Sequence, residues 1–332
     1  MLAEKYRPRT FDDFVGNHAV LNDIKEMVES GHIPHLLFKG PAGTGKTTLA
    51  NIVITSLLGR TWRNDKTAIE INASDERGIK VIQGRVKDFA STAGASSIGK
   101  SVPFKIIFLD EADHLTEPAQ AALRRTMEKY ARNCRFILAC NFPHKLSDPI
   151  KSRCASFDFF PLELNDVAER LRTICDNEGV QIGEAGVLDK VAELSRGDIR
   201  VAINSFVTRF VNKRIPITLE MVKSVDNIST YAPKIIKMGL NMRFLNTRQI
   251  ILNSMSKGVN FRELLAGISD RVAHMQFPSG KMYPDWLIAA IADACLECDY
   301  LITRGCYPIV VVSGFVAKLV KVGEDARRRL SG

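Results

Sequence analysis

Gly40-Pro41-Ala42-Gly43-Thr44-Gly45-Lys46-Thr47 stands between the apolar run His35-Leu36-Leu37-Phe38 and the stretch Thr48-Leu49-Ala50-Asn51-Ile52-Val53-Ile54. A G-x-x-x-x-G-K-T pattern between a strand-like and a helix-like segment is the context of a phosphate-binding loop. The glycines let the backbone turn tightly with its N–H groups inward. Those donors and the positive end of the following helix suit a phosphate chain. Lys46 is placed to reach the β- and γ-phosphates, and the Thr47 hydroxyl to take a position on Mg²⁺. A glycine-rich turn that merely starts a helix is the competing reading, and Lys-Thr in register after the last glycine speaks against it.

A second stretch, Lys105-Ile106-Ile107-Phe108-Leu109-Asp110-Glu111-Ala112-Asp113, ends a four-residue apolar run in acids. The run reads as a buried parallel strand. Carboxylates at its C-terminal end lie where open α/β sheets bind ligands. Asp110 is the expected carboxylate near Mg²⁺, since an acid ending a buried strand needs a cation. Glu111 is the natural general base for an attacking water. Asp113 reads as a solvated acid at a helix start. The two stretches together point to Mg²⁺-dependent hydrolysis of a nucleoside triphosphate.

The 332 residues suffice for two or three domains, and 45% apolar content supports a real core. The net charge of +9 favours an acidic partner, nucleic acid being the commonest. The seven cysteines are odd in number and irregular in spacing, which fits a reducing interior. Cys295-Leu296-Glu297-Cys298 lacks a second ligand pair for zinc and reads as core packing. No run approaches the length of a membrane span, and no targeting segment shows in an N-terminus charged from Glu4 onward.

Strand patterns at His35–Phe38, Ala68–Ile71, Phe104–Leu109, Arg135–Ala139 and Ser156–Phe160 alternate with helical ones. This rhythm predicts an α/β P-loop domain, a parallel sheet with helices on both faces. From Leu162 the strand signals stop. Helical spacing over Leu164–Glu178, Glu184–Ser195, Asp198–Phe210 and Leu219–Val225 predicts a small helical lid. Ser229-Thr230-Tyr231-Ala232-Pro233 reads as a hinge before an all-helical domain. The expected division is 1–161, 162–228 and 229–332. The small, polar segment between Phe89 and Pro103 reads as an exposed loop.

With these motifs in place, the chain resembles the replication factor C small-subunit family of sliding-clamp loaders, which are AAA+ ATPases. The resemblance rests on Glu4-Lys5-Tyr6-Arg7-Pro8, Val15-Gly16, the phosphate loop, Asn72–Ile79, Phe108–Asp113, Ala122–Arg125, Ala139–Asn141, Ser152-Arg153-Cys154 and Gly197–Arg200. It is dense over the first 210 residues and diffuse over the last hundred. It implies that Tyr6, Arg7, Pro8 and Val15 enclose the adenine of ATP. It implies that Gly40, Pro41, Ala42, Gly43, Thr44, Gly45, Lys46, Thr47 and Thr48 hold the phosphates, with Thr47 and Asp110 on Mg²⁺. Asn141 is implied as the γ-phosphate sensor, an amide that orients the attacking water without adding charge. Arg153 is implied as an arginine finger acting in trans on a neighbouring subunit's ATP. Arg200 is implied as a lid sensor touching the phosphates. Arg77, Lys80, Arg85 and Lys87 are the implied DNA contacts, tracking the phosphate backbone without reading sequence.

The implied function is an ATPase subunit that loads a ring-shaped sliding clamp onto primer–template DNA in replication. Its implied partners are other small subunits, a large subunit, the clamp and the DNA, with a helical collar at the C-terminus holding the oligomer. An ATP-binding scaffold subunit and another AAA+ DNA motor, such as a branch-migration helicase, are the alternatives. The implied compartment is intracellular, cytoplasmic in a prokaryote and nuclear in a eukaryote. Some positions depart from the family pattern: Ala42 replaces a proline, Gln83 and Val201 stand where arginines are common, and the Ala93–Pro103 loop is long. No clamp-binding peptide with paired aromatics is visible.

Overall fold

The computed structural model describes residues 2–76, 78–92, 102–211, 216–225, 227–256, 259–277, 280 and 282–330. Arg77 and most of the segment expected to form the 93–103 loop lie outside the described residues. The chain forms two compact units, Met1–Ile217 and Thr218–Gly332.

The first unit is built on β1 (His35–Lys39), β2 (Ala68–Asn72), β3 (Lys105–Asp110), β4 (Cys134–Cys140) and β5 (Cys154–Asp158). They pair in parallel in the order β2-β3-β4-β1-β5. Successive side chains leave opposite faces, and both faces are covered. Leu36, Phe38, Ile106, Phe108 and Ile137 pack with Leu49, Ile52 and Val53 of the helix Lys46–Leu58. Leu37, Ile107, Leu109, Phe136 and Leu138 pack with Leu123 and Met127 of the helix Glu117–Lys129. Double burial explains why the strands read as unbroken apolar runs rather than alternating ones. Each such side chain contributes about 1.5–3 kcal/mol by leaving water.

β5 sits two residues earlier than its pattern predicts. The pair Phe159-Phe160 drew the expectation forward, but only Phe159 is buried, its ring 5.3 Å from that of Phe38, while Phe160 is 67% exposed. The helix expected from Glu184 begins at Val187, after Gly186 in the left-handed region. Residues 199–210 are helical throughout, with a π-helical turn at Ala202–Val207.

The second unit contains the helices Leu219–Val225, Asn227–Leu240, Phe244–Ser256, Phe261–Val272, Asp285–Thr303 and Pro308–Leu330. The expected hinge at 229–233 is instead part of the helix Asn227–Leu240, with Pro233 inside it. An interior proline costs about 3 kcal/mol. Ala232, Ile235 and Ile236 on the same helix are fully buried, and the two isoleucines alone offset that at about 1.5–3 kcal/mol each. Cys295 and Cys298 belong to this core, and burial pushes their thiols up to about 12 and about 11. Among the described residues no helix is long and apolar enough to cross a membrane.

Candidate nucleotide-binding and hydrolytic site

Three adjacent strands, β3, β4 and β1, end at one edge of the sheet. Lys39 lies opposite Cys140, and Leu109 opposite Leu138. The ladder thereby brings Gly40, Asn141 and Glu111 to nearly one level. The Gly40 N–H donates to the Cys140 carbonyl at 3.3 Å, tying the start of the loop to β4.

Two loop glycines have physical reasons to be glycine. Gly43 has φ +77°, and a Cβ there would lie 2.2 Å from the Asp198 carboxyl. Gly45 has φ +100°, and a Cβ would lie 2.6 Å from the Phe14 ring. Lys46 follows, only 7% exposed. Its ammonium donates to the carbonyls of Gly40 at 2.7 Å and Pro41 at 2.6 Å, and to Asn141 Oδ1 at 2.9 Å. All three ammonium donors are therefore used. Burial pulls the Lys46 pKa below the ordinary lysine range, against the opposing pull of the nearby Asp110 carboxylate.

Thr47 Oγ1 donates to Asp110 Oδ2 at 2.8 Å, and the Glu111 N–H donates to Asp110 Oδ1 at 3.0 Å. Burial nonetheless holds the Asp110 carboxyl above its usual range. A carboxylate whose charge is disfavoured by burial, beside a hydroxyl oxygen, is a hard-oxygen pair suited to Mg²⁺, whose charge would reverse that disfavour. Glu111 has φ +53°, a left-handed conformation uncommon for a side chain of its size. That conformation turns the chain at the strand end and leaves the half-buried Glu111 side chain without a hydrogen bond or ion pair among the described residues.

Asp113 corrects a sequence expectation. It is not a solvated acid but 5% exposed, and its Oδ1 accepts the Asn141 N–H at 3.1 Å.

Beside the loop, Tyr6, Arg7, Pro8, Val15, Thr48 and Arg200 line one cavity together with Gly43, Thr44 and Gly45. The N-terminal arm is anchored there. The Tyr6 hydroxyl donates to Glu178 Oε1 at 2.6 Å, and its carbonyl accepts from Arg170 Nη2 at 2.8 Å. Arg7 pairs with Glu4 at 3.0 Å. Asp198 Oδ1 accepts the Arg200 N–H at 2.8 Å and fixes the start of that helix. Phe14, Leu162, Ile199 and Ile203 line the same cavity and were missed. Phe14 carried a signal as the aromatic neighbour of Val15. The others are apolar residues that only tertiary packing brings there.

Other candidates lie elsewhere. Arg153, exposed, follows the short helix Asp148–Lys151. Its Nη1 donates to the Pro149 carbonyl at 2.6 Å, and Nη2 pairs with Glu128. Ser147 holds the position before that helix, and Asp148 pairs with Lys151 at 2.7 Å. Lys80, Arg85 and Lys87 are exposed on the helical segment 79–91, whose Ile82, Val86 and Ala90 are buried. Arg85 is not free, being paired with Glu76.

Residues 36–162 match the model of the ATPase family associated with various cellular activities, and residues 169–208 match the RCF1/5-like AAA+ ATPase lid domain. Among solved structures, the RuvB Holliday junction branch migration motor of Thermotoga maritima superposes with a TM-score of 0.56 at 18% identity, covering 84% of this chain and 96% of that one, a likeness of fold alone. The chain is 40% identical over 326 residues to replication factor C small subunit 1 of Pyrobaculum islandicum, covering 98% of this chain and 95% of that protein. It is 40% identical over 325 residues to the replication factor C small subunit of Archaeoglobus fulgidus, covering 95% and 96%. A phosphate loop, a paired-acid strand end and an amide just past the end of the strand between them, in a chain that matches such proteins nearly end to end, place it in the replication factor C small-subunit family of AAA+ ATPases.

Proposed function

We propose that the chain is an ATPase subunit of a clamp loader, and that it uses ATP to place a ring-shaped sliding clamp on primer–template DNA during replication. The observation that carries this is the gathering of Lys46, Thr47, Asp110, Glu111 and Asn141 at the ends of three adjacent strands. In this reading the adenine lies in the cavity walled by Tyr6, Arg7, Pro8 and Val15, and the triphosphate runs along the loop N–H groups. Lys46 exchanges loop carbonyls for phosphate oxygens. Thr47 and Asp110 would hold Mg²⁺, which when bound neutralises phosphate charge.

Asn141 orients a water and Glu111 takes its proton. The water oxygen bonds to the γ-phosphorus as the bond to the β–γ bridging oxygen breaks, leaving ADP and phosphate. Arg153 serves a neighbouring subunit's site, where a trans guanidinium stabilises the charge that builds up. Arg200 reports the phosphates to the lid, a hinge element that turns nucleotide state into motion. Arg77, Lys80, Arg85 and Lys87 follow the DNA backbone.

The division into 1–161, 162–228 and 229–332 assigns these tasks to a nucleotide domain, a lid and a collar that binds other small subunits and a large one. The test is the ATPase rate with and without primed DNA and clamp, for the chain alone and with its large subunit. Strong joint stimulation in the complex is expected. ATP binding without stimulated turnover would refute the reading in favour of a scaffold role.

A further inference from the structure

Asp113 is the one acid of the Lys105–Asp113 stretch to which the chemistry above gives no task, yet it is buried. It sits in the 3₁₀ turn Ala112–His114, directly after Glu111. Its Oδ1 accepts the Asn141 N–H, and its Oδ2, also buried, has no hydrogen-bond partner among the described residues. An unsatisfied buried oxygen is costly, so the residue is in place for what its other oxygen does.

Two tasks are open to it: a counter-charge for Lys46, or a strut for Asn141. The ammonium of Lys46 spends its donors on Gly40, Pro41 and Asn141 and none on Asp113. The direct bond runs to the backbone of Asn141, the residue whose side chain holds that ammonium. The path from Glu111 to Asn141 is thus two residues of a tight turn and one carboxylate.

We propose that Asp113 is a positioning residue, a strut whose hydrogen bond to the Asn141 N–H sets the separation between Glu111 and the Asn141 amide. The inference rests on the roles proposed above for Glu111 and Asn141. A misplacement of about 1 Å between reacting groups can cost about 100-fold in rate, so a single strut has a measurable effect.

Three variants discriminate: Asp113→Ala, which removes the acceptor, Asp113→Asn, which keeps an acceptor oxygen and loses the charge, and Asp113→Glu, which keeps the charge and moves the oxygen by one methylene. Three quantities are read: amide exchange of Asn141 in the full-length chain, affinity for a fluorescent ATP analogue, and single-turnover hydrolysis in the complex with the large subunit. The strut predicts that Asp113→Ala and Asp113→Glu deprotect the Asn141 amide and slow hydrolysis at least about tenfold, with nucleotide affinity little changed, and that Asp113→Asn restores both protection and rate. The opposite order, Asp113→Glu active and Asp113→Asn slow, would show a counter-charge and overturn the strut. An equal loss of thermal stability, affinity and rate in Asp113→Asn and Asp113→Glu alike would show mere packing and overturn it too. If the unmutated complex fails to hydrolyse ATP, or Lys46→Ala binds nucleotide as the unmutated chain does, the proposed function fails instead, and Asn141 exchange in the three variants still decides the strut.

Discussion

His35 opens β1, the strand that carries the phosphate loop, and it titrates in a way that can be measured. Its ring is edge-on to Phe136 with centroids 5.2 Å apart, and its Nδ1 accepts the Phe136 N–H at 3.2 Å. That bond requires an unprotonated Nδ1 and links β1 to β4, the strand that ends just before Asn141. Burial, aided by the Arg135 guanidinium, pulls the pKa from 6.5 to about 4. The folded state therefore resists a proton that the unfolded chain accepts. The stabilisation is complete above pH 6.5 and is lost as the pH falls from there toward 4. At 1.36 kcal/mol per pKa unit the loss reaches about 3 kcal/mol at pH 4.

The assay is urea unfolding between pH 7 and pH 4, comparing the wild-type histidine with His35→Asn, whose amide oxygen can replace Nδ1 as acceptor. The chain has two tryptophans, and a Trp286→Phe background leaves the buried Trp62 as reporter for the first unit. The wild type should lose about 3 kcal/mol more than His35→Asn over that range. Parallel pH profiles, agreeing within about 0.5 kcal/mol, would refute the claim that the fold holds this ring neutral.

Other outcomes follow from the site. Asp110→Asn removes a charge that burial disfavours. In EDTA at pH 8 it should raise the first unit's melting temperature, and with Mg²⁺ present it should abolish hydrolysis. That gain should shrink as the pH falls through the carboxyl range, because wild-type Asp110 then takes up a proton; identical melting at pH 8 would contradict the burial argument. Gly43→Ala places a Cβ against Asp198 at a positive φ, a strain of about 1–3 kcal/mol. It should weaken ATP binding about tenfold or more, measured by nucleotide fluorescence, and unchanged affinity would mean that the lid segment yields freely. Arg153→Ala should lower stimulated phosphate release in the assembled complex by about 10³. No change would leave Arg153 only its contacts with Glu128 and the Pro149 carbonyl.

Much of this was legible because the chemistry is local. Residues 35–47 and 105–111 each announce a strand, a turn and a ligand in one short stretch, and double burial makes their strands hard to mistake. Phe160 and Pro233 show where local signals mislead. An aromatic at a strand end looks like core until its neighbour is found to occupy the space, and a proline reads as a break until the isoleucines beside it are seen to be buried. Asp113 is the plainest failure. Its sequence surroundings suit a solvated helix start, and its partner Asn141 lies just past the end of β4, 28 positions away. Leu162, Ile199 and Ile203 were missed for the same reason, since a cavity wall assembled from separate segments leaves no periodic trace.

The strand order also bears on when, during synthesis, the protein becomes competent. β4 lies between β3 and β1 in the sheet but follows both in the chain. A nascent chain that has reached residue 133 already encodes the phosphate loop and both acids, yet the strand that must separate them does not exist. Lys46 and Asp110 then lack the spacer that fixes their distance, and Asn141 has not been made. Because this pairing is parallel and long-range, it forms slowly and as a unit. Nucleotide binding with the full set of contacts thus reports that β4 has paired between β3 and β1, and a ribosome-bound intermediate short of β4 should not consume ATP.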